Sequence, residues 1–269
     1  MIRKSSLIWL IAGIFLILSS CSEKKEIKKT DGKEKYLLMA TLYNYYAAEY
    51  QALTFQAFNI GKERLIEIRS ERPTDNNLAV VVDIDETILN NSPYEAKSML
   101  DSKSYTSESW YEWCNMGVAE PVPGALEFLK FADSLDFHVF YITNRKKKFV
   151  EEGTIENVKK LGFPQTMLDH FYLRTDDRNK EKRRQSVSEN YDIVLLAGDN
   201  LGDFYTDTDV FKDRETLMRS NMDDFGRKFI VLPNAIYGDW VKAMGLPGNE
   251  QTVDSLLHRM AKPYTIESK

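Results

Sequence analysis

Apolar and polar positions along the chain change rhythm several times, and each change predicts a different element. From Tyr36 onward apolar and aromatic residues recur at helical spacing, through Leu38, Leu42, Tyr45, Tyr46, Tyr50 and Leu53. The spacing predicts an aromatic helix packed on a core, with Gly61 as a break before a second helical piece around Leu65 and Ile68. The rhythm then shortens. Leu78 to Val82 is a continuous, β-branched apolar run ending in Asp83, as expected of a strand buried on both faces. Similar runs at Phe137 to Ile142, Phe171 to Leu173, Ile193 to Ala197 and Phe229 to Leu232 predict further strands. Between them Ala125 to Leu135 and Phe149 to Leu161 read as helices, the latter closed by Gly162-Phe163-Pro164. Strands alternating with helices imply an α/β sandwich around a parallel sheet. Residues 90–123 hold no clear sheet strand but carry Trp110, Tyr111 and Trp113. That stretch is too long for a plain loop and reads as a small inserted cap.

The N-terminal residues follow a different pattern. Arg3 and Lys4 precede an uncharged run from Leu7 to Leu18, followed by Ser19-Ser20-Cys21. The run is short for a bilayer span and reads as an export signal. Residues 22–34 are dense in Lys and Glu and read as a solvated tether. The expected organisation is a leader over 1–20 and a cysteine with tether over 21–35. A helical region over 36–75 and an α/β core over 76–245, with the cap at 90–123, come next. A C-terminal helix and tail over 246–269 complete it.

Composition narrows the function classes. A net charge of −5 argues against a general nucleic-acid binder, but not against a small anionic substrate in a locally positive pocket. With two cysteines in the chain and Cys21 beside the leader, Cys114 has no partner for an internal disulfide and reads as a small packed residue.

The chemistry lies at strand ends, where ligands bind in open parallel sheets. Asp83 ends the first strand and Thr143-Asn144 the second, while Asp199 follows Ile193 to Gly198. Asp83 and Asp85 point similarly if the chain stays extended, and a helical turn would align Asp199 with Asp203. These carboxylates together suit a hard cation, and magnesium in particular, which takes a few carboxylates plus water and phosphate. The three histidines lack zinc-ligand spacing. A metal-bound carboxylate can attack phosphorus, and a cation opposite it would share the neutralisation. Lys180 and Lys182 are the candidates, Lys180 preferred. The rest of the basic run Arg178 to Arg184 reads as a solvated helix face.

The ordered set Asp83-Ile84-Asp85-Glu86-Thr87, Ile142-Thr143-Asn144-Arg145, a lysine, and Gly198-Asp199-Asn200-Leu201-Gly202-Asp203-Phe204 resembles the haloacid dehalogenase superfamily. Within it the chain looks like the bacterial class C acid phosphatases, which are outer-membrane lipoproteins. Asn91-Ser92-Pro93-Tyr94, Trp110-Tyr111-Glu112-Trp113 and Tyr237-Gly238-Asp239-Trp240 carry that narrower likeness. The resemblance implies a Rossmann-like three-layer sandwich with a small helical cap. It further implies a magnesium-dependent phosphomonoesterase acting through an aspartyl-phosphate. Asp83 would be nucleophile and metal ligand, and Asp85 the general acid–base, giving its main-chain carbonyl to the metal. Thr143, Asn144 and Lys180 would hold the phosphate. Asp199 and Asp203 would complete the metal site. Trp110 and Tyr237 would sandwich a base or aryl group. Leu18-Ser19-Ser20-Cys21 resembles a lipoprotein processing box, implying a lipid anchor at Cys21 on the cell envelope, as in an outer membrane. Nucleoside monophosphates are the expected substrates. Sugar phosphates, or a non-catalytic surface lipoprotein of the same fold, are alternatives, and self-association stays open.

Overall fold

The computed structural model describes residues 32–206, 211–246 and 250–261. The leader, Cys21, most of the tether and the end of the C-terminal tail lie outside the described residues. In chain order the elements are α1 (Gly32–Tyr46), α2 (Ala48–Glu71), β1 (Leu78–Val82), β2 (Leu89–Asn90), α3 (Ser92–Leu100), α4 (Ser107–Met116), β3 (Glu120–Pro121), α5 (Ala125–Ser134) and β4 (His138–Lys146). There follow α6 (Lys147–Lys160), β5 (Phe171–Arg174), α7 (Glu181–Ser188), β6 (Asp192–Gly198), α8 (Phe211–Ser220), β7 (Phe229–Val231), α9 (Asp239–Ala243) and α10 (Glu250–Ala261). No described helix is long and apolar enough to cross a membrane.

Five strands form one parallel sheet in the order β5-β4-β1-β6-β7. β1 is central, and all five of its residues are buried. Leu78, Val80 and Val82 face a core shared with Phe58 of α2 and Phe128 and Leu129 of α5. Ala79 and Val81 face the opposite core, with Phe140, Leu196, Phe229 and Val187 of α7. Burying each Val contributes roughly 1.5–3 kcal/mol, so the continuous apolar run follows from helices covering both faces. The α/β sandwich read from the sequence is the fold observed.

Three expectations are corrected. Gly61 does not break a helix, because α2 runs through it. A Cβ at Gly61 would stand 2.8 Å from the Phe128 ring, so the glycine there lets α5 approach. The stripe that α2 buries is Tyr50, Thr54, Phe58, Gly61, Leu65 and Ile68. Leu38, Leu42, Tyr45, Tyr46 and Leu53 are exposed. The expected stripe is thus right at Tyr50, Leu65 and Ile68 and wrong at Leu53 and the four α1 positions; polar Thr54 and Gly61 complete the face that α2 buries. Helix α1 starts at Gly32, so the end of the expected tether is helical; Lys and Glu are good helix formers despite their charge. In the cap region α3 and α4 lie between β2 and β3, which pair antiparallel. Those strands are two residues each, too short to give a period in the sequence.

Candidate active site

Three strand ends meet at the middle of the sheet. The Asp83 N–H donates to the Ala197 carbonyl at 2.9 Å, extending the β1–β6 ladder and fixing Asp83 at the sheet's carboxyl edge. Beyond β6 a 3-10 turn over Leu201–Asp203 folds Asp203 back, and its Oδ2 accepts from the Asn200 N–H at 2.9 Å. A Cβ at Gly198 would stand 2.3 Å from Asp203 Oδ2. Only glycine lets that carboxylate lie against the strand end.

One carboxylate oxygen from each of Asp83, Asp199 and Asp203 lies within 4.8 Å of the others. Lys180, 4% exposed, pairs with Asp83 and, at 2.6 Å, with Asp203. Lys182 is exposed, so Lys180 is the lysine at the site. Asp199 accepts from Asn234 Nδ2 at 2.8 Å and from the Thr87 hydroxyl at 3.4 Å. Three carboxylates against one ammonium leave an excess of negative charge away from water, and the site responds accordingly. Burial raises Asp83 to about 7, with Lys180 opposing and Asp203 and Asp85 adding to the rise. Burial, then Asp203 and Asp83, push Asp199 well above the usual carboxylate range. A divalent cation with hard oxygen ligands would relieve this repulsion, so the donor set fits one.

Asp85 stands apart from that trio, which corrects the expectation that its carboxylate joins Asp83. The chain turns after β1 through Glu86, whose φ is +56°, and the Asp85 side chain goes to another partner. Its Oδ1 accepts from Arg145 Nε at 2.9 Å and Asn91 Nδ2 at 3.0 Å, and Arg145 Nη2 lies 2.8 Å away. Arg145 is 1% exposed and also reaches the Thr154 hydroxyl at 3.2 Å. Asn91 is held in turn by Trp113 Nε1, 2.7 Å from its Oδ1, and donates through its N–H to buried Glu86 at 2.8 Å. Burial first, then Asp85 and Asp199, raises Glu86 well above its usual range. Arg145, Asn91 and Glu86 were not singled out by sequence reasoning. The only signal was their place inside the Ile-Thr-Asn-Arg, Asp-x-Asp-Glu-Thr and Asn-Ser-Pro-Tyr runs.

The basic run also turns inward more than expected. Arg183 donates to the Thr143 carbonyl at 2.5 Å and to Asn144 Oδ1 at 2.8 Å. Arg184 is buried and donates to the Asp203 carbonyl at 2.7 Å. Helix α7 thus clamps the ends of β4 and β6 together. Thr143 is fully buried; its hydroxyl accepts from the Arg145 N–H at 3.1 Å and points toward Asp85 at 3.4 Å.

Asp83, Asp85, Asn144, Lys180, Asp199 and Asp203 line a cavity of about 1150 Å³, which fully buried Thr143 does not border. Trp110 and Tyr237, from the cap and from the loop after β7, both line it. Trp110 lies edge-on to Tyr94 at 5.1 Å, and the Arg145 guanidinium sits 5.7 Å from its ring. The Tyr237 hydroxyl is buried with no partner among the described residues.

Residues 22–240 match the family model for the HAD superfamily, subfamily IIIB (Acid phosphatase). A solved class C acid phosphatase from Bacillus anthracis, with tungstate bound, is 35% identical and covers 88% of this chain and 98% of its own, with a TM-score of 0.76. Among curated proteins, the Stem 31 kDa glycoprotein of Glycine max is 30% identical over 146 residues, which is 51% of this chain and 56% of that protein. Acid phosphatase 1 of Solanum lycopersicum is 28% identical over 131 residues, 46% of this chain and 50% of that protein. The chain spans about half the length of these curated relatives.

Proposed function

The chain belongs to the acid phosphatases of HAD superfamily subfamily IIIB, and from that premise we propose that it is a magnesium-dependent phosphomonoesterase acting on nucleoside monophosphates and aryl phosphates. The observation that carries this reading is the position of Asp83. It sits at the sheet's edge, in contact with Lys180 and within the acidic trio, at the base of an aromatic-lined cavity.

In this mechanism an Asp83 oxygen forms a bond to phosphorus as the bond to the ester oxygen breaks. The departing oxygen takes a proton from Asp85, which stands outside the acidic trio and is oriented by Arg145 and Asn91. The resulting aspartyl-phosphate is hydrolysed by water, from which Asp85 recovers the proton, and inorganic phosphate leaves. Lys180 neutralises charge at the transferred group, and the Thr143 hydroxyl and Asn144 hold its oxygens. Asp83, Asp199, Asp203 and the Asp85 carbonyl would hold magnesium, which supplies further charge neutralisation when bound. Trp110 and Tyr237 would receive a base or aryl ring by stacking, which tolerates any flat ring.

A panel of phosphomonoesters assayed with magnesium and with EDTA tests the reading. Phosphate release is expected to vanish in EDTA and return with magnesium. In Trp110→Ala and Tyr237→Ala, KM is expected to rise about tenfold for a nucleotide relative to a small alkyl phosphate, given roughly 1–3 kcal/mol per stacked base. No EDTA-sensitive release from any substrate would overturn the proposal, and an equal KM change on both substrates would remove the stacking role.

We also propose that Cys21 carries a lipid anchor to the cell envelope, as in an outer membrane, on the strength of the Leu18-Ser19-Ser20-Cys21 run behind an apolar leader. Mass spectrometry of the mature N-terminus is expected to find an acylated cysteine. A Cys21→Ser chain that still partitions into detergent like the wild type would contradict it.

A further inference from the structure

Most buried cations around the cavity have acceptors. Arg145 has Asp85, Lys180 has Asp83 and Asp203, and Arg184 has Glu181 and the Asp203 carbonyl. Arg174 differs. It ends β5, is itself half-buried and lines the same cavity, and its buried Nε has no partner among the described residues. Leaving such a group unpaired is costly, more so on a charged side chain. Its electrostatic neighbours are Arg178, of like charge, and the Tyr111 and Tyr105 hydroxyls, with no carboxylate among them; burial, then Arg178, lowers its pKa.

Lys146 is the register partner of Arg174 across β4 and β5. It also lines the cavity, and its amine lies 6.0 Å from the Phe149 ring. No described carboxylate pairs with it. The other acidic residues lining the cavity do not pair with either cation: Asp177 accepts from the Asn179 N–H at 2.9 Å, Asp239 faces Arg178 at 3.5 Å, and burial raises Glu95 of α3 to about 7. Tyr111 is itself held rigidly, stacked on Phe149 at 4.7 Å. Two cations from the core strands and two hydroxyls from the cap therefore border one part of the cavity, and no carboxylate among the described residues forms an ion pair with either cation. Lys146 stands two residues beyond Asn144 on the same strand, so this part adjoins the phosphate-holding end of β4. The cavity, at about 1150 Å³, also exceeds the roughly 300–1,000 Å³ typical of small-molecule sites.

We propose that Arg174 and Lys146, with Tyr105 and Tyr111, form a second anion subsite in the substrate cavity, selecting phosphomonoesters that carry another anionic group, with nucleoside bisphosphates as the fitting class. This rests on the phosphatase reading for the first phosphate, and the experiment separates the two. Adenosine 3′,5′-bisphosphate and adenosine 5′-monophosphate are compared on the full chain with magnesium. In the wild type kcat/KM for loss of the 5′-phosphate is expected to be about tenfold higher for the bisphosphate. The ratio is expected to fall toward one in Arg174→Gln and partway in Lys146→Ala, and to fall with added salt in the wild type. Affinities for both ligands are measured in parallel by calorimetry on Asp83→Asn, which needs no turnover. A wild-type ratio of one or less, or a ratio that Arg174→Gln leaves unchanged, overturns the subsite. A tenfold affinity preference without phosphate release from either ligand supports the subsite and overturns the phosphatase reading instead.

Discussion

Asp83→Asn is expected to lower kcat/KM for nucleoside monophosphates by more than about a thousandfold, the scale on which removing a covalent nucleophile acts. The amide keeps the size of the side chain and its place at the end of β1, so the loss reports nucleophilicity rather than collapse of the site. A variant retaining more than a thousandth of wild-type turnover, in saturating magnesium, would remove Asp83 from that role. The same substitution has an opposite consequence for stability. Burial and the repulsion of Asp203 and Asp85 raise Asp83 from 3.8 to about 7 despite Lys180. The folded chain therefore binds this proton more tightly than the unfolded chain does. In EDTA the stabilisation is fully present below pH 3.8 and is lost as pH rises toward 7. The Tm of metal-free wild type should fall over that window, and the fall should be shallower in Asp83→Asn. Some slope should persist, because Asp199 and Glu86 are raised as well. Lys180 keeps Asp203 at 2.6 Å in the variant, so its charge is not orphaned. A Tm that falls as steeply in the variant as in the wild type would show that the repulsion at Asp83 is already relieved without metal.

How much of this could be read from the sequence depended on whether a feature has a period. β1 is legible because Leu78 to Val82 is apolar at every position and both faces are covered. The meeting of Asp83, Thr143 and Asp199 at one edge follows, since parallel strands deliver their carboxyl ends together. The direction of Asp85 does not follow. It depends on the left-handed turn at Glu86 and on Arg145, a charged residue that no hydrophobic pattern places inside. The inward turn of half-buried Arg183 and the burial of Arg184 are illegible for the same reason: a run of cations looks solvated until their carbonyl acceptors are known. The exposed aromatic face of α1 is the converse case, because periodicity marks a stripe without showing whether anything covers it. Lys180 was separable from Lys182 only by orientation, and the start of α7 turns the first inward and the second out.

Arg145 is where that illegible part of the site should matter most. Arg145→Ala would leave Asp85 without its ion pair and would strip donors from Thr154 and Asn91. Removing one partner of a buried pair typically costs about 3–5 kcal/mol, a large share of the roughly 5–15 kcal/mol that holds a domain folded. Urea unfolding should show that loss. Arg145→Lys should recover only part of it, because an ammonium cannot present Nε and Nη2 to one carboxylate together. Activity separates a structural role from positioning of the proton carrier. Nucleoside alkoxides leave poorly and need the proton that Asp85 delivers, whereas nitrophenolate leaves with little help. On protein shown to be folded, Arg145→Lys is therefore expected to lose about a hundredfold in kcat on a nucleoside monophosphate, within the range for general acid catalysis, and about tenfold or less on nitrophenyl phosphate. Equal losses on the two substrates would mean that Arg145 supports the fold alone. The unequal loss would place it, with Asn91 and Trp113 behind it, as the group that aims Asp85.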